Sequence, residues 1–335
     1  MLTKASPVRG LFFAVLGAVV LVLAGAAVLY FSNVPLRGYA RTWDLTELHH
    51  PGEVRLLVVG DTGSGDDNQR AVAAAMERKC IEEKPDAVIL LGDNFYMDGV
   101  ADVQDGQWQS KFSEIYGQPC LSVTPFAAVL GNHDYKGNPQ AQIDYTQVAA
   151  RGERLRWIMP ARAFVVRSPG ILNIAMIDSN FPDRCFLGFC SLDRILEDLG
   201  QQPAPWTIVA GHHPLFSGGK YRTMKILRRY FVGNFYCDAG ASMYWAGHDH
   251  NLQLLRGQDG DLPCAVNQLI GGGGGASLYP AEILPGQSEF AATKHGFAVA
   301  RVRADSFRIQ IFGVDGTADS AAAEAPLHEF NLRKE

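Results

Sequence analysis

Five polar residues of this 335-residue chain share one setting: each directly follows a glycine that ends a short apolar run. They are Asp61, Asp93, Asn132, His212 and His248. One such ending carries little weight, because Gly-Asp and Gly-His turns are common, but five in one chain are hard to obtain by chance. Ligand sites of open α/β sheets lie beyond the carboxyl ends of the strands. The pattern therefore predicts that the five side chains meet at one place.

Two further donors accompany this set. Tyr96 follows Asp93 by three residues and can reach back towards it, and His250 follows His248 by two. In extended backbone, residues at that second spacing point the same way, about 6.5 Å apart. Seven oxygen and nitrogen donors are too many for one tetrahedral zinc ion. They suit two metal ions about 3.5–4 Å apart, with Asp93 lending one oxygen to each.

The elements that must position these residues alternate between strand and helix. Val54–Val59 is predicted to be a buried strand, followed by a helix that Asp66 or Asp67 caps and that runs to about Lys84. Ala87–Leu91 is the next strand, so the chain opens as a β-α-β unit with a parallel pair. Ala163–Arg167 and Ile171–Ile177 are predicted to form a hairpin.

Further segments have the patterns of strands and helices. The additional strands are predicted at Phe126–Leu130, Thr207–Ala210, Ser242–Ala246, Asn251–Leu255, Ala265–Ile270, Phe297–Val302 and Ser306–Phe312. The additional helices are predicted at Trp108–Tyr116, Gln140–Arg151, Leu192–Leu199 and Met224–Val232. Gly271–Gly275 lacks the following helix of a phosphate-binding loop and is interpreted as a flexible turn.

Composition and cysteine usage exclude several classes of protein. A hydrophobic fraction of 47% with 19% charged residues is that of a globular protein. A net charge of −5 without a long basic run argues against a nucleic-acid partner. The six cysteines form no CxxC pair, which argues against a zinc ribbon or a thioredoxin motif. In an exported protein Cys185 and Cys190 are the nearest candidates for a disulfide, and the connectivity of the others stays open.

An apolar, uncharged segment near the N-terminus, Leu11–Phe31, predicts a transmembrane signal anchor. About 21 helical residues span about 30 Å, the thickness of one hydrocarbon core. Lys4 and Arg9 precede it and favour a cytoplasmic N-terminus. The alternative is a cleaved signal peptide with small residues at Ala24–Ala26, which would give a secreted protein. The length of the apolar segment favours the anchor. The rest of the chain would then lie outside the cytoplasm, at a periplasmic or extracellular face.

The predicted organisation follows from these segments. Residues 1–10 form a cytoplasmic N-terminus, 11–31 the anchor, 32–52 a tether, 53–314 the catalytic domain and 315–335 a C-terminal tail. The tether contains His49 and His50, to which no role is assigned. The tail is polar and rich in alanine, and it is expected to be poorly ordered.

The motifs together resemble those of the purple acid phosphatases, within the calcineurin-like metallophosphoesterases. The matching segments are Gly60-Asp61, Gly92-Asp93-x-x-Tyr96, Gly131-Asn132-His133, Val209-x-x-His212 and Gly247-His248-x-His250. The form of the second, third and fifth motifs is most similar to the small tartrate-resistant type. Tyr96 is the discriminating residue, because most other metallophosphoesterases lack it. The resemblance covers roughly Val54 to Phe312.

The resemblance implies an α/β fold, a four-layer α/β/β/α sandwich of two mixed sheets flanked by helices. It also implies a ferric ion and a second divalent ion, iron, zinc or manganese. The ferric ligands would be Asp61, Asp93, Tyr96 and His250. The ligands of the divalent ion would be Asp93, Asn132, His212 and His248. A phenol has an unperturbed pKa near 10, so holding it ionised at acidic pH requires a strong Lewis acid such as a trivalent ion.

The implied reaction is hydrolysis of phosphate monoesters by a metal-bound hydroxide, with the metals clamping the phosphoryl oxygens. The resemblance places His133 as the proton donor to the leaving alcohol. His213 stands where the small acid phosphatases often carry tyrosine. For His213 and His295, a pocket role and a structural role both stay open. The substrate would be a small phosphate ester or a phosphoprotein.

Two departures from the family pattern keep substrate preference open. The first motif reads Asp61-Thr62-Gly63 rather than Asp-Trp-Gly, and Leu-Phe-Ser-Gly-Gly follows Pro214. A phosphodiesterase or nucleotide pyrophosphatase on the same site is therefore an alternative. So is a membrane-anchored protein that holds metal for a redox or binding role without hydrolysis, although the complete ligand set argues against lost activity.

Overall fold

The computed structural model describes residues 42–45, 47–150, 156–180, 191–222, 226–257, 262–315 and 325–334. Two mixed β-sheets contribute to one continuous apolar core, in which Leu56 and Val58 of one sheet join Ile174 and Ile208 of the other. The other face of the second sheet contributes to a separate apolar cluster with two helices. Successive strand residues point to opposite faces, so a strand covered on both sides is apolar throughout.

The first sheet has seven strands in the spatial order β15-β14-β13-β2-β3-β4-β5. In chain order they are β2 (Glu53–Val59), β3 (Ala87–Leu90), β4 (Pro125–Ala128), β5 (Arg156–Ile158), β13 (Gly296–Arg303), β14 (Ser306–Gly313) and β15 (His328–Arg333). Strands β2 to β5 are parallel, and β13 pairs antiparallel with β2. The carboxyl ends of β2, β3 and β4 therefore lie side by side.

The second sheet has eight strands in the order β1-β6-β7-β8-β9-β11-β10-β12. They are β1 (Trp43–Asp44), β6 (Phe164–Ser168), β7 (Leu172–Met176), β8 (Trp206–Ala210), β9 (Met243–Ala246), β10 (Leu252–Gly257), β11 (Val266–Gly271) and β12 (Ser288–Ala292). Strands β7, β8, β9 and β11 are parallel neighbours, so β8 and β9 also end side by side.

Four α-helices are described, α1 (Asp67–Glu83), α2 (Pro139–Ala149), α3 (Ser191–Gln201) and α4 (Ile226–Asp238). Asp66 caps α1 by accepting hydrogen bonds from the backbone N–H groups of Asn68 and Gln69. Helix α1 contacts β2 and β13 of the first sheet. Helices α3 and α4 contribute Leu192 and Phe235 to the cluster on the second sheet.

The prediction of two mixed sheets is confirmed, as are the opening β-α-β unit and the hairpin, which is β6 with β7. The predicted helix Trp108–Tyr116 is instead a single π-helical turn, Gln109–Ser113. The helix predicted at Met224–Val232 is described from Ile226 and continues to Asp238.

Within the described residues, parts of the segments predicted as tether and tail take part in the two sheets. Part of the predicted tether is docked, because Trp43–Asp44 pairs in parallel with β6 and His50 Nε2 donates a 2.8 Å hydrogen bond to the carbonyl of Glu83. Part of the predicted tail is strand β15, which pairs with β14 and buries Phe330. Both are short edge strands that satisfy an exposed row of backbone groups on their neighbours.

Two disulfides are described, Cys80–Cys120 and Cys237–Cys264. Paired cysteines indicate an oxidising compartment. The one predicted candidate pair, Cys185 and Cys190, lies outside the described residues, and so does the predicted anchor Leu11–Phe31. Among the residues that are described, no helix combines the length and the apolar character needed to cross a bilayer.

Candidate metal centre

The seven predicted ligands come together where the carboxyl ends of five strands from both sheets meet. Asp61, Asp93 and Asn132 follow β2, β3 and β4 of the first sheet, and His212 and His248 follow β8 and β9 of the second. Hydrogen bonds tie the loops to each other, such as Asp61 N to the carbonyl of Gly92 at 3.0 Å.

Three of these residues have left-handed backbone conformations that non-glycine residues rarely adopt. The φ angles are 58° at Asp61, 51° at Asp93 and 68° at His248. Such conformations cost roughly 1–3 kcal/mol each and persist only where the surroundings enforce them. Gly92 has φ 87°, and a Cβ atom there would lie 2.8 Å from His212 Nδ1. The strain is concentrated at the loops that present the donors.

Three side chains surround the phenol oxygen of Tyr96 and form with it a first group of four possible ligands. This oxygen lies 2.8 Å from Asp61 Oδ1 and 2.9 Å from Asp93 Oδ2. It is also 3.0 Å from Nε2 of His250, which itself lies 3.4 Å from Asp61 Oδ1. All four side chains are buried. This first group matches the predicted ferric set.

A second group lies around Nε2 of His212. That nitrogen is 3.1 Å from Asn132 Oδ1, 3.1 Å from His248 Nδ1 and 3.4 Å from Asp93 Oδ2. The same oxygen of Asp93 therefore lies within 3.4 Å of donors in both groups. One oxygen of Asp93, rather than one oxygen for each ion as predicted, therefore faces both groups, while Oδ1 accepts the N–H of His133.

Hydrogen bonds orient the ligand atoms. Nδ1 of His212 donates to the carbonyl of Leu91 at 2.9 Å, and Nδ1 of His250 donates to that of Ser277 at 2.7 Å. In each ring Nε2 is then left as the metal-binding atom. The carboxylates of Asp61 and Asp93 use their second oxygens, Oδ2 and Oδ1, to accept backbone N–H groups, from His248 and His133 respectively, both at 2.8 Å.

The electrostatics of the site fit cations. Burial and the adjacent carboxylates of Asp61 and Asp93 raise the pKa of Tyr96 well above its usual range. Burial opposes ionisation of Asp93 as well, but the charge and hydrogen bond of His212 hold its pKa below the ordinary value. Burial lowers the pKa of His212, and Asp93 outweighs this and raises it to about 9. Carboxylate and phenol oxygens face each other at hydrogen-bond distance. Two metal ions would neutralise the negative charge that these oxygens carry when ionised.

The other predicted site residues, His133 and His213, lie beside the two groups. Nδ1 of His133 donates to the carbonyl of Met97 at 2.6 Å, and the ring centre is 4.5 Å from that of Tyr96. His213 Nδ1 lies 2.9 Å from Ser179 Oγ, and a ring nitrogen of His213 lies within 4.8 Å of ligand atoms of His212 and His248. His295 belongs to neither group.

The glycine run packs against the first loop. The carbonyl of Gly271 accepts a 2.8 Å hydrogen bond from Gly60 N, and Gly274 N donates to the carbonyl of Gly60 at 3.0 Å. A Cβ atom at Gly272 would come within 2.9 Å of Asp61 Oδ2, and one at Gly274 within 2.3 Å of the Gly60 carbonyl. Close packing, rather than the predicted turn flexibility, therefore requires these glycines.

Sequence reasoning missed two supporting residues. Asp134 is fully buried and accepts hydrogen bonds from the N–H groups of Gly131 at 2.7 Å and Asn94 at 3.0 Å, which joins two ligand loops. Burial and then the charge of Asp93 raise the pKa of Asp134 to about 7. Ser179 Oγ accepts from the N–H groups of His212 and His213. The Gly131–Asp134 motif contains a signal for Asp134, whereas no local pattern points to Ser179.

Comparison with known families decides the assignment. The pattern of the calcineurin-like phosphoesterase family matches residues 54–252, which contain all seven predicted ligands. The chain belongs to this family. The match covers β2 through the start of β10, and thus every strand whose end contributes a predicted metal ligand.

Curated relatives narrow the assignment within the calcineurin-like phosphoesterases. The chain is 31% identical to purple acid phosphatase 7 of Arabidopsis thaliana over 267 residues, which are 72% of this chain and 77% of that protein. It is 29% identical to purple acid phosphatase 3 of the same plant, over 83% of this chain and 80% of that protein. It is 28% identical to the mouse tartrate-resistant acid phosphatase type 5, over 62% of this chain and 69% of that protein. The predicted family and the predicted activity class, a metallophosphatase acting on phosphate esters, are thereby confirmed.

Solved structures share the fold. GAP50, described as the anchor in the inner membrane complex of Plasmodium, superposes with a TM-score of 0.68 at 22% identity over 84% of this chain and 89% of that one. The purple acid phosphatase PPD1 of yellow lupin superposes with a TM-score of 0.62 at 14% identity, over 84% of this chain and 54% of that one. At these sequence identities, the similarity shows a shared fold and nothing further.

Proposed function

We propose that this phosphatase is an acid phosphatase for phosphate monoesters that works with a ferric ion and a divalent ion, iron, zinc or manganese. One observation supports this most strongly: the phenol oxygen of Tyr96 lies within 3.0 Å of donor atoms of Asp61, Asp93 and His250. A phenolate favours a trivalent ion, and few other members of the family are expected to carry it.

The proposed ligands follow the two groups. Asp61, Asp93, Tyr96 and His250 would hold the ferric ion, and Asp93, Asn132, His212 and His248 would hold the divalent ion. When bound, the two ions would lower the pKa of a water molecule and neutralise charge that develops on the phosphoryl group. The backbone amides and carbonyls that orient the ligands keep the donor atoms in place for this role.

His133 is proposed to protonate the leaving alcohol. Its backbone is tied to Asp93, and its Nδ1 is held by the carbonyl of Met97, so Nε2 is the atom that would give up the proton. His213 is proposed to donate from its ring to a phosphoryl oxygen, with Ser179 fixing the orientation of the ring. Both residues act on the substrate without having to leave their present hydrogen bonds.

A substrate comparison tests the proposal. The purified protein, loaded with both metals, should hydrolyse phenyl phosphate with a kcat/KM at least about tenfold above that for bis(4-nitrophenyl) phosphate. A preference for the diester would favour the phosphodiesterase alternative. No turnover of any phosphate ester by protein that holds both metals would favour a non-hydrolytic role.

Leaving-group dependence tests the role of His133. His133→Asn should lower kcat for an alkyl phosphate about 100-fold, and much less for 4-nitrophenyl phosphate, whose leaving group needs no proton. His49→Asn is the matched control, because His49 contacts Asp86 at the opposite end of β3 and should leave both rates unchanged. Equal losses of kcat with both substrates would indicate that His133 has a structural role instead.

Membrane anchoring through Leu11–Phe31 is also proposed, with the catalytic domain outside the cytoplasm. The disulfides Cys80–Cys120 and Cys237–Cys264 support an oxidising location. The apolar length of the segment and the preceding Lys4 and Arg9 support retention in the membrane with the N-terminus in the cytoplasm.

A further inference from the structure

Two tyrosines that sequence analysis did not single out stack on two of the proposed ligand imidazoles. The ring centre of Tyr221 is 4.0 Å from that of His248, with an interplanar angle of 23°. The ring centre of Tyr279 is 4.2 Å from that of His250, at 12°. Lys220 Nζ lies 3.9 Å from the ring centre of Tyr279 and 5.2 Å from that of Tyr221. We call Lys220, Tyr221 and Tyr279 the mouth cluster.

Buried hydrogen bonds fix the loop that carries Lys220 and Tyr221. The carboxylate of Asp249, which is fully buried, accepts from the N–H of Tyr221 at 3.3 Å and from the hydroxyl of Ser217. The loop also approaches its neighbours too closely for side chains, since a Cβ atom at Gly218 would lie 2.0 Å from the carbonyl of Glu282. These contacts hold in place the backbone that carries Lys220.

The same motif that supplies two imidazoles also anchors Tyr279. Tyr279 N donates to the carbonyl of His250 at 3.0 Å, and the carbonyl of Tyr279 accepts from Asn251 Nδ2 at 3.3 Å. In the segment His248–Asn251, alternate side chains have different roles. His248 and His250 face the proposed metals, whereas Asp249 and Asn251 hold the mouth cluster against the two imidazoles.

The cluster places a positive charge near the proposed ligands His248 and His250. Lys220 Nζ and the ring of His250 both lie against the Tyr279 ring, so the ammonium is one aromatic ring away from this proposed ligand. Lys220 is exposed, and within the described part of the chain it forms no ion pair with a carboxylate. A side-chain hydrogen bond with Tyr279 raises the pKa of Lys220 above its ordinary value. The neighbouring Arg222, by contrast, lies 3.1 Å from Glu282 and is paired.

We propose that Lys220 determines substrate specificity by binding a negatively charged leaving group, as in the phosphoanhydrides pyrophosphate and nucleoside diphosphates. The inference rests on the proposed function. A phosphoryl group bound at the metal centre would leave Lys220, which lies against Tyr279, to contact the part of the substrate beyond the scissile bond. An uncharged alcohol offers nothing to bind there, whereas the next phosphate of an anhydride does.

The reaction on this substrate class is ordinary hydrolysis. Water adds to one phosphorus atom of pyrophosphate and loses a proton, the bridging P–O bond breaks, and the departing phosphate keeps the electron pair and takes up a proton. Two orthophosphate ions result. Because the departing group is already anionic, Lys220 would stabilise its charge both before and after cleavage, which is expressed mainly as tighter binding.

The test compares pyrophosphate with phenyl phosphate in full-length protein of verified metal content. Lys220→Met should raise the KM for pyrophosphate about tenfold relative to that for phenyl phosphate, since one charge-assisted contact is lost. Lys220→Arg should restore most of the preference. Arg222→Met is the matched control: it removes a cation two residues away that Glu282 already pairs, and it should leave the KM ratio unchanged.

The outcomes separate the inference from the proposed function. Equal changes in KM for both substrates, or no change, would overturn the role of Lys220. Wild-type protein that cleaves phenyl phosphate but not pyrophosphate would also overturn it, with the proposed function intact. Wild-type protein that holds two metals and cleaves neither would overturn the proposed function, and the inference with it.

Discussion

The phenol oxygen of Tyr96 lies 2.9 Å from Oδ2 of Asp93, and both side chains are buried. The phenol donates to a carboxylate, and burial together with Asp61 and Asp93 raises the pKa of the phenol well above the ordinary value. A metal ion at this point would replace the proton. The contact therefore links the protonation of Tyr96 directly to metal binding, and it makes the proposed ferric site testable by methods other than activity.

Colour is the first test of Tyr96. A phenolate bound to ferric iron absorbs visible light by ligand-to-metal charge transfer, so the oxidised protein should be pink to violet. Tyr96→Phe should abolish the band while Asp61, Asp93 and His250 retain the iron. Phosphatase activity should fall only partly, by about tenfold or less. Absorption spectra with iron analysis provide the measurement, and a colourless wild type with full iron would show that Tyr96 is not a ligand.

Metal content tests the bridging role of Asp93. Elemental analysis of wild-type protein should give about two metal ions per chain, at least one of them iron. Asp93→Asn should lose both ions, because Oδ2 of Asp93 lies within 3.4 Å of donors in both groups, and activity should fall about 100-fold or more. Asn132→Ala should weaken the divalent site alone. Active protein with one zinc ion and no other metal would refute the dinuclear site.

Proton release on metal binding gives a pH dependence whose sign follows from the pKa values of the ligand side chains. Burial lowers the pKa of His212, but Asp93 raises it to about 9, so the imidazole is protonated at pH 7 and must lose that proton to bind metal. Metal affinity should therefore rise between pH 7 and 9, by about tenfold per unit for each proton released. Potentiometric titration at pH 7 measures the release. Tyr96→Phe should release about one proton fewer, and an unchanged release would contradict ligation.

Membrane fractionation tests the anchor. The chain should sediment with membranes, and protease added from outside the cytoplasmic membrane should digest the region after Ser32. Substituting Leu21→Arg within the apolar segment should weaken insertion, since a central charge costs about 2.5–3.5 kcal/mol on insertion scales. Leu36→Arg, outside the segment, is the control. Recovery of a soluble mature protein that starts near Ala27 would favour signal cleavage instead.

The disulfide between α1 and the turn before β4 offers a stability test. Replacing both Cys80 and Cys120 by serine opens a loop with a sequence separation of 40 and should lower the free energy of unfolding by about 2–4 kcal/mol. Denaturant unfolding under oxidising conditions measures this. Reductant should destabilise the wild type more than the double variant, which keeps only Cys237–Cys264 among the described pairs. Equal sensitivity would mean that the Cys80–Cys120 bond contributes little.

Local sequence was sufficient for the elements that contribute ligands. Apolar runs of strand length identify β2, β3, β4, β8 and β9, and the glycine after each run marks where the chain turns. The same local pattern does not predict pairing between distant segments. Strand β1 has two residues and β15 carries alternating polar residues, so both were placed in flexible regions although backbone pairing with β6 and β14 holds them. An edge strand can be stabilised by its neighbour rather than by its own composition.

By itself, the sequence determined which side chains could bind metal and at which strand ends they lie. Residue type and spacing at Asp61, Asp93, Tyr96 and His250 are local properties that limit the chemistry to oxygen and nitrogen ligation. Only the tertiary structure decided that Asp93 Oδ2 faces both groups, that Ser179 supports His212, and that Tyr221 and Tyr279 cover the imidazoles. These contacts join segments from both sheets. They depend on how two sheets pack, and packing is a property of the whole apolar core rather than of any one segment.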